Sequence, residues 1–183
     1  MRDGVRELVD RAMTGDRDAF AALAGRISDD LFAVGKRILR DADLADDAVQ
    51  QTLLQVWRQL PQLRDPDRFQ AWAYRLLVNV CYREAKSRRA GLELQIVREP
   101  QAVTDVERQL ADRDELERAF LRLSPQHRAV VVLHHFRGLP LTEVAGILGV
   151  PSGTAYSRLH YAYRAMRGAI EADSRTPARE QLA

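Results

Sequence analysis

The sequence predicts an all-α protein of two small helical domains joined by a flexible linker, the second containing a helix-turn-helix. Three observations carry that expectation. Apolar residues recur at spacings of three and four along most of the 183 residues, with almost no two-residue alternation. The stretch 90–105, "AGLELQIVREPQAVTD", holds Gly91 and Pro100 and sustains no period. The stretch 140–159, "PLTEVAGILGVPSGTAYSRL", reads as a short helix, a glycine turn and a second helix start.

Each element follows from its own pattern. In "DRDAFAALAGRISDDLFAVGKRILR" (16–40), Phe20, Leu23, Ile27, Leu31, Val34 and Ile38 form one apolar face. "DADLADDAVQQTLLQVWRQL" (41–60) opens with acids suited to a helix N-terminus, carries Leu44, Ala48, Leu53, Val56, Trp57 and Leu60, and stops at Pro61. "DPDRFQAWAYRLLVNVCYREAKSRR" (65–89) begins with Asp65-Pro66, a cap followed by proline at the first helical position. Its acids come early and its cations late, as the helix dipole favours. After the linker, a helix is expected from about Val106 to Leu123. Another follows at "SPQHRAVVVLHHF", with Ser124 as cap and Pro125 first, closed by Gly138. The expected division is therefore 1–90, a linker at 91–107, a helix-turn-helix domain at 108–171 and a polar, disordered tail at 172–183.

Composition excludes several classes. The single cysteine, Cys81, allows neither an internal disulfide framework nor a multi-cysteine metal site, and its apolar neighbours mark it as core. His134 and His135 are adjacent, so on a helix they diverge by about 100° and chelate poorly. His127 has no Cys or acid at ligand spacing, and no glycine loop cradles a phosphate, so the sequence predicts no enzyme and no cofactor. No apolar run reaches the eighteen or so residues of a membrane span, and the N-terminus lacks a signal-peptide core, so the expected location is the cytoplasm. The net charge of +2 hides a division: residues 1–60 sum to −2, 61–89 to +4, 90–125 to −3 and 126–171 to +3. Two basic blocks alternate with two acidic ones, as two nucleic-acid surfaces or merely patchy charge would give.

The turn within 140–159 is the most specific local signal. Val144, Ala145 and Leu148 face inward before Gly149, and Val150 and Ala155 after it, so two helices can cross closely. The second helix repeats apolar residues at Ala155, Leu159, Ala162, Met166 and Ile170. Its other faces carry three of the chain's five tyrosines with several arginines. In a helix-turn-helix the outward residues of this helix touch bases. Ser152, Gly153, Thr154, Tyr156, Ser157 and Arg158 would do so here; a merely packed αα-hairpin is the alternative.

Three segments in order resemble the extracytoplasmic-function (ECF) group of bacterial RNA polymerase sigma factors, over about residues 16–170. "LADDAVQQTLLQVWRQL" resembles the family's core-polymerase-binding segment, and "FQAWAYRLLVNVCYREAKSRR" the segment that melts and reads the minus-ten promoter element. "LSPQHRAVVVLHHFRGLPLTEVAGILGVPSGTAYSRLHYAYRAMR" resembles the domain that reads the minus-thirty-five element. The resemblance implies a factor that binds core RNA polymerase and directs promoter recognition, DNA melting and transcription initiation. It also implies an anti-sigma partner, no small-molecule substrate and no membrane insertion.

Carried onto this chain, the resemblance puts polymerase contacts at Asp46, Asp47, Gln50 and Gln51. It puts minus-ten DNA contacts at Arg75, Asn79, Tyr82, Arg83, Lys86, Arg88 and Arg89. Trp72, at core spacing with Phe69 and Leu76, is expected to be buried, and the preceding loop "QLRDPDR" (62–68) is where relatives capture a flipped base. In the helix-turn-helix, Tyr161, Arg164 and Arg167 join the set above, with Arg158 the candidate for a guanine and Arg164 and Arg167 for phosphates. The family commonly has Lys or Arg where Tyr156, Tyr161 and Tyr163 stand, so anchoring here rests on fewer cations. The residues alone also allow a stand-alone helix-turn-helix regulator, or a helical adaptor that binds only protein. The acidic 41–60 segment and the second basic helix speak against the former.

Overall fold

The computed structural model describes residues 2–94 and 111–173, and among these every regular element is helical. Helix α1 (Arg2–Met13) falls in a stretch where the sequence reading expected no element. Its signal is present but faint. Val5, Leu8, Val9 and Ala12 share one face among six charged residues, and Val9 and Ala12 are buried.

Helix α2 (Arg17–Leu39) starts where Asp16 accepts a hydrogen bond from the Ala19 amide at 2.9 Å. That amide, and the Arg11 guanidinium beside it, hold the Asp16 carboxyl below its ordinary pKa. Arg40 then turns left-handed (φ 64°) and Asp41 caps α3 (Ala42–Gln59) through the Asp43 and Leu44 amides. Pro61 ends α3 in a 3-10 turn (Leu60–Gln62). A second turn (Pro66–Arg68), capped by Asp65, leads into α4 (Phe69–Leu94).

In the C-terminal unit, α5 (Ala111–Leu121) precedes α6 (Pro125–Val131), whose Ser124 cap accepts from the His127 amide. The helix loosens into a π-helical segment (Val132–Phe136) and stops at Gly138, φ 68°. Helix α7 (Leu141–Leu148) closes on Gly149, φ 65°, where Val150 N–H reaches the Ala145 carbonyl and Gly149 N–H the Gly146 carbonyl. This paired C-terminal bond pattern demands a left-handed residue, which glycine adopts without strain. Helix α8 (Ser152–Asp173) follows.

Two expected boundaries shift. Helix α4 runs to Leu94, four residues into the expected linker, because "AGLE" carries nothing strong enough to stop a helix already propagating. Likewise α8 runs through Asp173, past the expected tail boundary. The rest of the expected linker, the helix start near Val106 and residues 174–183 lie outside the described residues.

The two units do not stand apart. Leu31, Val34 and Ile38 of α2 and Phe69, Leu77 and Val80 of α4 share one apolar core with Val130, Leu133, Val144 and Ile147 of the C-terminal unit. At about 25 cal/mol per Å² of apolar area, such a seam is a real contribution to stability. Cys81 lies fully buried within it, its thiol pushed up to about 12 by burial, which keeps it unreactive.

Candidate nucleic-acid and partner-binding surfaces

Three helix faces carry the candidate residues. On α3, Asp46, Asp47 and Gln50 are exposed, and Gln50 donates to Asp46 at 2.8 Å. Gln51 parts from them: half-buried, it turns to α4 and donates to Glu84 at 3.1 Å. Leu53 and Trp57, both in the apolar pattern of this segment, are only half-buried. With Phe20, Leu54 and Arg17 they line an open groove of about 560 Å³ that Gln50 also borders. Leu54 is 57% exposed, and Phe20 and Trp57 stack at 4.7 Å between ring centres. The α3 face is therefore acidic along one edge and apolar along the other. Residues 53, 54 and 57 follow 46 and 50 at helical spacing, a signal the core assignment of the apolar stripe concealed.

On α4, Arg75, Asn79, Arg83 and Lys86 are exposed at spacings of three and four, so they form one polar strip. Arg88 is engaged with the Asp41 carboxylate at 3.0 Å. Arg89 lies in the helix, its side chain outside the described set. Tyr82 is largely buried, and its hydroxyl has no hydrogen-bond partner among the described residues. Burial pushes that hydroxyl up to about 12, although the nearby Arg158 cation pulls the other way.

Trp72 is half-buried, less enclosed than its spacing with Phe69 and Leu76 suggests. Because the 3-10 turns break the helical path just ahead of it, Trp72 stands beside the 62–68 loop. With Gln59, Gln62, Leu63 and Arg64 it lines a pocket of about 280 Å³. The loop is tied to α1, since the Arg6 guanidinium meets both Asp67 carboxylate oxygens at 2.6 and 2.7 Å.

On α8, Ala155, Leu159, Ala162 and Ala169 are buried, while Met166 and Ile170 are half-buried. Ser152, Gly153, Tyr156, Ser157, Tyr161, Arg164 and Arg167 are exposed, and Thr154 is half-buried. His160 shares this outer face and belongs with them. Arg158 does not share it: half-buried, it acts electrostatically on Tyr82 of α4 and His127 of α6. Tyr161 sits beside the His127 ring at 6.4 Å between centres, and the Tyr163 hydroxyl bonds the His135 ring.

Residues 23–91 match sigma-70 region 2, and residues 113–166 match sigma-70 region 4. The chain is 34% identical over 164 residues to the ECF RNA polymerase sigma factor SigL of Mycobacterium tuberculosis, covering 85% of this chain and 93% of that one. The chain belongs to the ECF sigma factors. Its fold matches CnrH, solved with the cytosolic domain of CnrY, at a TM-score of 0.64 and 25% identity, over 93% of this chain and 99% of that one. It also matches the sigma factor RpoE of Bartonella quintana, solved with the anti-sigma factor NepR, at a TM-score of 0.66 and 22% identity, over 84% and 98%. This sigma factor thus has its α3 face and α4 strip within region 2, and its α8 outer face, as far as Arg164, within region 4. No helix among the described residues is long and apolar enough to cross a membrane.

Proposed function

We propose that this sigma factor joins core RNA polymerase through the α3 face, recognises and melts the minus-ten element through α4 and the 62–68 loop, and reads the minus-thirty-five element through α8. It acts in the cytoplasm as an initiation factor without chemistry of its own. The observation that carries the reading is the pairing of a helix-turn-helix with a second basic strip and a separate acidic-and-apolar helix face. A stand-alone regulator would use only the first of these. On α3, Asp46, Asp47 and Gln50 supply charge and orientation, while Leu54 and Trp57 supply buried apolar area, the combination typical of a protein interface with a small energetic centre.

On α4, Arg75, Asn79, Arg83 and Lys86 track phosphates of the opening duplex. The pocket beside Trp72 has the size and the aromatic wall to receive an unstacked base. On α8, Tyr156, Ser157, His160 and Tyr161 face the bases, and Arg164 and Arg167 the phosphates. Arg158 reaches a guanine only when α8 is clear of α4. CnrH and RpoE were each solved with a protein partner, which supports a protein inhibitor of this sigma factor too.

Promoter-directed run-off transcription with purified core polymerase tests the proposal. The wild-type chain should initiate at a defined start, and Asp47→Lys combined with Gln50→Ala should abolish both co-elution with core polymerase and the transcript while the chain stays folded. Retained co-elution by that variant would refute the α3 assignment. Transcription from a randomised upstream-element library checks the α8 readers. Tyr161→Ala should relax preference at one position, whereas Arg167→Ala should weaken all sequences alike.

A further inference from the structure

The chain between α3 and α4 has little of its own to hold it. Each of its two 3-10 turns is closed by a short backbone bond, Leu63 N–H to the Leu60 carbonyl at 3.0 Å and Arg68 N–H to the Asp65 carbonyl at 3.1 Å. Leu60 is fully buried and Leu63 half-buried, so the first turn is pinned to the core. Beyond it Arg64, Asp65, Asp67 and Arg68 are exposed. Yet Gln62, Leu63 and Arg64 form most of the wall of the pocket beside Trp72. A wall made by a loop discriminates sharply only if the loop is held in place.

Helix α1 supplies that hold. It packs against both 3-10 turns as well as against α2. Val9 and Ala12 bury its apolar face, and on the exposed edge Arg6 Nη1 donates to both Asp67 carboxylate oxygens at 2.6 and 2.7 Å. Asp10, one turn along α1, lies 3.9 Å from Arg6 Nε and leaves the Nη1 end to Asp67. Within the second turn, the Asp67 amide donates to the Asp65 carboxylate at 3.0 Å, and that carboxylate lies 3.6 Å from Arg68 Nε. The turn is thus closed on itself, and Arg6 is what ties it to a distant element.

The Arg6 and Asp67 side chains are 54% and 65% exposed. An ion pair so open to water adds little to the stability of a fold. Its consequence falls on where the loop sits.

We propose that α1 is a specificity element: Arg6, acting through Asp67, is a positioning residue that fixes the 62–68 loop and so sets how sharply the pocket beside Trp72 discriminates the base it receives. The inference rests on the reading of that pocket as a minus-ten base site. Arg6 acts here without touching DNA.

Transcription by the full-length chain with purified core polymerase, from a promoter library randomised through the minus-ten element, tests it. Arg6→Ala removes a cation and Asp67→Ala an anion. On electrostatics alone the first should weaken every promoter and the second strengthen every promoter. Acting as a pair, they should instead both flatten the preference at one and the same minus-ten position. Exposed pairs bias an equilibrium by about two- to fivefold, and the loss of discrimination should be of that size. The exchange Arg6→Asp with Asp67→Arg restores an opposite pair and should restore the preference. All three variants should melt close to the wild-type temperature, because both side chains are exposed.

A preference that stays sharp in either single variant, that falls at different positions in the two, that falls at every position, or that the exchange does not restore would overturn the proposal. Gln62→Ala with Arg64→Ala, which strips the exposed part of the pocket wall, separates it from the reading beneath. If that wall variant flattens the preference and Arg6→Ala does not, the positioning role alone is lost. If the wall variant leaves every minus-ten preference unchanged, the pocket reading is lost and the positioning role goes with it.

Discussion

Helices α4 and α8 both carry the residues proposed to meet DNA, yet they are held in opposite ways. Helix α4 is the centre of the molecule: Phe69, Ala73, Tyr74, Leu77, Val78, Val80 and Cys81 are buried, against α2, α3 and the C-terminal unit together. Its polar strip is one residue wide, Arg75–Asn79–Arg83. Helix α8 is peripheral, fixed by a stripe of three alanines and Leu159, and most of its circumference faces outward. Small residues bring α8 close to α5, α6 and α7 and leave room for many contacts. A central helix trades surface for rigidity, and a peripheral one does the reverse. The helix proposed to work on the minus-ten duplex is the more enclosed of the two.

The largest expected effect breaks this contrast directly. Leu77→Ala should destabilise the fold by about 2–5 kcal/mol by cavity formation, whereas truncating Leu159, at the rim of its stripe, should cost less. Urea unfolding of both variants measures the difference. On α8 the damaging change is enlargement, and Ala162→Leu should cost about 1–3 kcal/mol by overpacking.

Arg128→Ala comes next. Burial, with Arg40 adding, has already lowered the Arg128 pKa to about 10, yet the Ile38 and Leu123 carbonyls still hold it. Removing the donor leaves those carbonyls unpaired at about 1–3 kcal/mol, read in the same unfolding assay. Asp16→Ala, which removes the α2 cap, should cost about 1 kcal/mol, with little effect on either DNA-directed helix.

Arg164→Ala and Arg167→Ala sharpen the contrast from the other side. Both residues are exposed, so stability should stay within about 0.5 kcal/mol of wild type. The salt dependence of promoter binding by the holoenzyme should fall by about one unit of slope for each.

The smallest effect is a pH dependence confined to the C-terminal unit. His127 is held below its ordinary pKa by burial, with Arg158 adding, and His135 by burial, with His134 adding. The folded state therefore prefers neutral rings. Their contribution is complete above the unfolded value, about 6.5, and is lost as the pH falls below it, because the unfolded chain takes up protons more readily. The melting temperature should drop from pH 7 to pH 5, and less so in His127→Gln with His135→Gln.

The helices were legible wherever an apolar face and a cap coincided. Asp16, Asp41, Ser124 and Gly149 stop or start helices through bonds that one or two neighbouring residues complete, so the chain writes them locally. Helix α1 was missed because its charged residues outnumber its apolar ones, and only packing on α2 makes its thin stripe count. The candidate surfaces were legible as charge and polarity on a helix face. What those faces turn toward was not: Gln51 bonds α4, Arg158 is half-buried and acts electrostatically on Tyr82, and Trp57 opens onto a groove.

By itself, then, the sequence determined the order of helices from α2 onward, their caps and the helix-turn-helix, because each rests on periodicity or on bonds between residues at most five apart, and its motifs carried the resemblance to the family. The tertiary structure alone decided that the two units share a core, that Arg40 and Arg128 each donate to a carbonyl at a helix end of the other unit, and that Asp30, Tyr74 and Arg137 meet. The physical reason is separation along the chain. Ile38 and Arg128 stand ninety positions apart, and Tyr74 and Arg137 sixty-three. No local pattern encodes such a meeting; it exists only once the apolar faces of α2 and α4 have drawn the second unit onto them.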